Sequence, residues 1–150
     1  MRAYAADRGV AIAVRRFPAG TRTAQDAARA IGVGVGQIVK SLVFLAGADP
    51  VLVLCCGDDR VSEERLRGTI GVAGVRRANA DEAKAATGHA IGGVPPFGHT
   101  AAIRTIMDEG MFRFASVWAA AGLPDAVFEI APDDLLRLSG AQRAAIAERL

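Results

Sequence analysis

Two runs, "VKSLVFLA" at 39–46 and "VLVLCCG" at 51–57, constrain this chain more than anything else in it. Both are short, largely apolar, rich in branched residues and bounded by turn residues. That is the pattern of strands buried on both faces rather than one. Gly47-Ala-Asp-Pro50 joins them, so the pair reads as a hairpin. A hairpin covered on both sides needs a layer against each: a barrel interior with a helical coat, or a sheet between layers.

The flanking patterns supply those layers. "VAIAVRRF" at 10–17 alternates as a first strand, and "PAGTRT" breaks it. Thr23 caps a helix whose Ala24, Ala27, Ala28 and Ile31 share one face, with Gly32 as its stop. Ser62 with Glu63 and Glu64 opens a helix ending near Gly68. Asn79 and Glu82 have capping-box spacing for a helix through Thr87, with Gly88 after it. Pro132 and Asp133-Asp134 open another that runs to Gly140, and Ser139 with Gln142 predicts a last helix over 141–150. Strands are expected at 72–78, 100–108, 112–118 and 126–131. Strict βαβ alternation is missing, so the class is α+β. The expectation is a single compact domain over 1–150, with a curved, mostly antiparallel central sheet or barrel and helices around it.

Composition narrows the function classes. With 51% hydrophobic and 23% charged residues the chain is not a disordered tail. No run approaches the ~18 apolar residues of a membrane span. Arg2, Asp7 and Arg8 interrupt the start where a secretory signal would be apolar. Cys55-Cys56 sit inside an apolar run and read as reduced core residues of a cytoplasmic protein. A net charge of +2 and 5% aromatic residues allow local contact with a nucleic acid but no grip on a long duplex, so no DNA is expected.

Several features invite chemistry. "GVGVGQIVKS" at 32–41 fails both nucleotide motifs: Gln37 stands where a dinucleotide fingerprint needs glycine, and Val39 where a P-loop does. The chain has two lysines, Lys40 and Lys84, among 18 basic residues. Against a background of arginine, a lysine marks a place for a compact ammonium. Lys40 at a strand mouth either snorkels or holds a phosphate or carboxylate. His89 and His99 lack further ligands at metal-site spacing and read as hydrogen-bonded loop residues. Asp108-Glu109 reads as a turn or helix-start signal ahead of a catalytic pair. The cysteines are poor nucleophiles, because an apolar strand raises a thiol pKa.

"TGHAIGGVPPFGH" at 87–99 remains. Gly92 and Gly93 let a ligand approach the backbone without a Cβ in the way. Pro95 and Pro96 stiffen the bend and remove two donors, leaving the glycine amides free for an oxyanion or carbonyl oxygen. A rigid structural turn is the equal alternative.

Taken together, "TRTAQDAARAIGV", "GQIVKSLVFLAG", "PVLVLCCGDDRV", "TGHAIGGVPPFGH", "IMDEGMF" and "VFEIAPDDLLRLSGA" resemble the YbaK/ProX family of aminoacyl-tRNA editing domains, found also inside bacterial prolyl-tRNA synthetases. The resemblance implies hydrolysis of the ester joining a wrong, small amino acid to tRNA, most often proline tRNA, with no metal or other cofactor. It implies that Lys40, followed by Ser41, anchors the tRNA acceptor end, and that the amides of Gly92 and Gly93 hold the aminoacyl carbonyl. Val94, Pro95, Pro96, Phe97, Gly98 and Ala120 would line the substrate pocket. The substrate's own ribose hydroxyl would orient the attacking water, which suits a chain without a protein nucleophile. Two departures stand out. Ala120 and Ala121 in "VWAAAG" replace a Ser-Gly pair of the cysteine-specific members, and the N-terminus is short for the helix many relatives carry there. The implied protein is a free-standing trans-editing factor whose partners are mischarged tRNA and prolyl-tRNA synthetase. A non-catalytic tRNA- or synthetase-binding module, or a small-molecule carbonyl or phosphate binder, are the alternatives.

Overall fold

The computed structural model describes residues 1–17, 23–99, 101–123 and 125–149, so most of the expected breaker at 18–23 lies outside it. In chain order its elements are α1 (Arg2–Asp7), β1 (Val14–Arg16), α2 (Ala24–Ile31), β2 (Val39–Ala46), β3 (Asp49–Cys56), β4 (Asp59–Val61), α3 (Glu63–Ile70), β5 (Arg76–Arg77), α4 (Ala80–Thr87), β6 (Arg104–Asp108), β7 (Val117–Ala120), β8 (Ala126–Ile130), α5 (Pro132–Ser139), β9 (Gln142–Ala144) and β10 (Ala147–Arg149).

The β2–β3 hairpin is the centre. It pairs from Val39↔Cys56 to Ala46↔Asp49 around a turn at Gly47 and Ala48. Alternate side chains point to opposite faces, and both faces are covered. Val39, Val43, Leu52, Leu54 and Cys56 pack with Met107, Met111 and Phe128. Phe44, Val51 and Val53 pack with Leu66, Ile70, Ile106 and Ile146. Burying each such side chain contributes about 1.5–3 kcal/mol, so the hairpin nucleates two cores at once.

Of the two architectures expected, the structure takes the open sheet; none of its sheets closes into a barrel among the described residues. The largest has the order β5-β2-β3-β6-β9. Its joins at β2 are antiparallel, but β6 runs parallel to β3 and β9 parallel to β6, so this sheet is mixed rather than mostly antiparallel. Long crossovers are the cause: the segment from β4 to α4 returns the chain in its original direction for β6, and the segment from β7 to α5 does so for β9. Antiparallel β1-β8-β7 forms a second sheet, and β4 pairs with β10.

Local capping chemistry places the helices. Thr23 and Ser62 accept from the amides of Asp26 and Arg65, and Asn79 and Glu82 form the full capping box. Arg76 donates to both oxygens of Glu82, and this pairing holds the Glu82 carboxyl down at about 2.

Other expectations need correction. The helix from Ser62 passes Gly68 and stops at Gly71. Strands expected at 10–17, 72–78 and 100–108 shrink to β1, β5 and β6, because only those stretches find a strand to pair with. The first part of 112–118 belongs to a 3-10 turn over Glu109–Arg113, started by the Asp108 side chain, and β7 begins at Val117. The short N-terminus holds α1 after all, with Ala5 fully buried. The last helix does not form. Ser139 belongs to the end of α5, where its hydroxyl donates to the Leu136 carbonyl, and 142–149 becomes β9 and β10. Open strand edges and the buried Asp108 carboxylate override local propensity there.

Candidate functional site

A cavity of about 200 Å³ opens beside β2. It exists because β2 loses its outer neighbour for part of its length. A bridge pairs Ile38 with Trp118 at one end, and the Val43 carbonyl accepts from the Ala78 amide at the other. Between them no strand covers that edge among the described residues. Ala24 and Ala27 of α2, Trp118 to Ala120 of β7, and the 91–94 loop wall off the space. A water in liquid occupies about 30 Å³, so the space has room for a small organic group.

The walls are mainly apolar, and the polar exceptions are few. Among the described residues Lys40 and Arg77 are the charged ones lining the cavity, both cations. The Ser41 hydroxyl is enclosed, with no hydrogen-bond partner among the described residues. A buried hydroxyl without a partner is costly, and a ligand group would relieve that cost. Gly92 also lines the space, and its amide donates to no backbone carbonyl among the described residues.

Gly92 owes its identity to a turn. The Gly93 amide donates to the Ala90 carbonyl at 2.9 Å, closing Ala90–Gly93. Gly92 sits third in that turn at φ +90°, and Ile91 is not in the left-handed region. That combination is a type II turn, which requires glycine at its third residue. Of the two amides expected to be free, then, the turn consumes Gly93 and leaves Gly92.

The ten residues singled out from sequence divide accordingly. Lys40, Ser41, Gly92, Val94 and Ala120 line the cavity, whereas Gly93 and Pro95 are buried behind it. Pro96, Phe97 and Gly98 line a separate space of about 170 Å³ beside Tyr4 and Leu138. Phe97 belongs to the core and not to the wall of the first cavity: its ring stacks 5.7 Å from Tyr4 and meets Phe128 edge-on at 5.6 Å. Arg77 and Trp118 were missed. Trp118 is the chain's one tryptophan and Arg77 half of an Arg-Arg pair, signals that gain meaning only with the strand register.

Lys40 is more constrained than its position suggests. It lies opposite Cys55 on the hairpin, and its ammonium donates to the Asp59 backbone carbonyl. The histidines tie the loop down. His89 Nδ1 lies 3.0 Å from the Gly122 carbonyl oxygen and His99 Nε2 lies 2.8 Å from that of Pro95. Burial keeps the His99 ring below its ordinary pKa, so at neutral pH it is uncharged and Nε2–H donates to Pro95.

One other cluster, and the cysteine beside it, are spoken for. Cys56, Asp58 and Asp59 bring their ligand atoms within 4.8 Å of one another. Arg113 lies 3.3 Å from Asp58 and 4.0 Å from Asp59, and burial pushes the Cys56 thiol up to about 11. A guanidinium already meets the carboxylates, and a protonated thiol is a weak ligand. Cys55 is pushed up to about 12, mainly by burial. Iodoacetamide at pH 8 should therefore leave both cysteines of the native protein untouched and label both in urea, as read by intact mass. Labelling of the native protein would show that β3 opens locally.

Residues 18–138 match the family model described as the aminoacyl-tRNA editing domain. The chain belongs to that family. An uncharacterised Bacillus subtilis (strain 168) protein, YwhH, is 34% identical over 127 residues, covering 84% of this chain and 80% of its own. A proline–tRNA ligase of Citrifermentans bemidjiense is 33% identical over 100 residues, covering 65% of this chain but only 18% of the ligase. A solved structure of a protein proposed as a trans-editing enzyme for prolyl-tRNA synthetase superposes with a TM-score of 0.89 at 41% identity. That superposition covers 98% of this editing domain and 94% of the other chain.

Proposed function

We propose that this editing domain is a deacylase that hydrolyses the ester of a mischarged tRNA, with a small wrong amino acid on proline tRNA as the substrate class. The observation that carries the reading is the cavity's donor set. Among the described residues, an apolar pocket lined by two cations and no carboxylate, with a Ser41 hydroxyl lacking a partner and the Gly92 amide beside them, suits an aminoacyl ester attached to a polyanion. Lys40 and Arg77 attract the phosphates at the acceptor end, and the Gly92 amide faces the aminoacyl carbonyl. Gly93 acts indirectly, through the turn. Val94 and Ala120 limit the side chain by exclusion, since one methylene discriminates by only about 1–3 kcal/mol.

Catalysis in this scheme is positioning and charge stabilisation. Neither cysteine lines the cavity, and the histidines hold loops. Water activation then falls to the substrate's own ribose hydroxyl. Domains of this family also occur within prolyl-tRNA synthetases, so that synthetase is the proposed partner in presenting substrate.

Deacylation of proline tRNA charged with alanine, serine, cysteine or threonine tests the reading. Turnover of at least one, with correctly charged prolyl-tRNA spared, is expected. Binding without turnover across the panel would replace it with a non-catalytic binding module.

A further inference from the structure

The chain carries two Arg-Arg pairs on strands flanking the cavity, Arg15-Arg16 on β1 and Arg76-Arg77 on β5. In each pair one arginine is engaged by a carboxylate. Arg16 meets Asp125 at 2.8 Å, and Arg76 grips Glu82. The partner in each pair is directed elsewhere. Arg77 lines the cavity, and Arg15, though not a lining residue, shares by register the sheet face that forms the cavity's other wall. On the β1-β8-β7 sheet, Arg15 lies opposite Val127, and Val127 lies opposite Ala120. Side chains in one cross-strand row share a face, and Val127 and Ala120 both line the cavity.

Aromatic rings hold the Arg15 guanidinium. Its Cζ lies 5.1 Å from the Phe17 ring centroid and 5.4 Å from that of Trp118, itself a cavity wall. A guanidinium within about 6 Å of a ring face gains cation–π attraction while its donors stay available. Arg15 is exposed and pairs with no carboxylate among the described residues. Glu129, on the same sheet face, accepts from Ser116 at 2.6 Å.

We propose that Arg15, laid against Phe17 and Trp118 at the lip of the cavity, is a phosphate contact for the single-stranded RNA end whose aminoacyl ester occupies the pocket. The inference rests on the deacylase reading and adds to it a third cation, beside the cavity wall, alongside Lys40 and Arg77. An exposed, pre-oriented guanidinium binds phosphate through two parallel donors. Its neighbour Arg16, one residue along and locked to Asp125, serves as an internal control.

The test is binding of an uncharged RNA hairpin, built as a proline-tRNA acceptor stem with its single-stranded 3′ end, to the full chain across a salt series. Arg15→Gln should weaken binding several-fold and reduce the slope of log K against log salt by about 0.7, the share of one single-strand phosphate. Arg16→Gln should change neither. In deacylation, Arg15→Gln should raise KM and leave kcat in place, and Arg15→Lys should restore part of the slope. A purely structural role would lower the melting temperature without altering the slope. Wild-type binding with an unchanged slope in Arg15→Gln overturns the inference and leaves the deacylase reading standing. A wild-type chain that neither binds the hairpin nor turns over mischarged tRNA overturns both.

Discussion

Lys40→Ala is expected to reduce kcat/KM for a mischarged proline tRNA by about 100-fold, the scale of truncating one partner of a close charge pair, about 3 kcal/mol. Its fold should survive. Lys40 is half-buried, and its ammonium donates to a single backbone carbonyl, that of Asp59. Losing a hydrogen bond from a charged donor costs about 1.5–3 kcal/mol, too little to unfold a typical domain of about 5–15 kcal/mol. The Asp59 hydrogen bond also defines the competing explanation, in which Lys40 merely buttresses the turn before β4. The two differ in what the folded fraction does. Removing a buttress would lower the melting temperature while the folded enzyme kept its rate. Removing a group that holds substrate would lower the single-turnover rate of fully folded protein. Lys40→Met, which keeps the stem and removes the charge, should match the alanine variant in activity while losing no more stability than the Asp59 hydrogen bond supplied. A Lys40→Ala enzyme with the wild-type rate would remove Lys40 from the site.

How much of this was legible in the sequence depends on the range of the interactions involved. The two-faced hairpin was readable because double burial leaves its mark in the strands themselves: uninterrupted apolar runs at 42–46 and 51–56. Helix starts at Thr23, Ser62 and Asn79 were readable because a cap spans only three residues. Segments whose fate is settled at a distance were not. Residues 142–149 carry helical spacing, yet they fill open edges on β6 and β4. The site divides in the same way. Lys40, Ser41 and Gly92 carry local signals, an odd lysine and a doubled glycine, and they do line the cavity. Arg77, Trp118 and the Arg15 row depend on strand register, which no local pattern encodes. Phe97 was misplaced for a related reason. Its motif is contiguous with Gly92, but the chain turns between them, so one loop serves two cavities. The Gly93 amide shows the limit most clearly, since the same glycine pair that frees one donor spends the other in closing the turn.

Asp108→Ala is expected to destabilise the protein by at least about 3 kcal/mol. The carboxylate is only 2% exposed. Its Oδ1 accepts from the Ile146 and Ala147 amides at 3.1 and 3.0 Å, and its Oδ2 accepts from the Gly110 amide at 2.9 Å. Alanine would strand three buried donors, each costing about 1–3 kcal/mol. By the usual proportion of roughly 2–4 °C per kcal/mol for a domain of this size or slightly larger, the melting temperature should fall by about 6 °C or more. Asparagine is no rescue, because its NH2 group would face a backbone N–H on one side. Activity per folded molecule should stay near wild type, since Asp108 lies outside the cavity lining. That separation bears on the sequence, where Asp108-Glu109 is the acidic pair that invites a catalytic reading. A stable Asp108→Ala protein without activity would make it catalytic. An unstable one with full activity per folded molecule would show that the carboxylate's work is to hold 146 and 147 in place, turning a segment with helical spacing into strands.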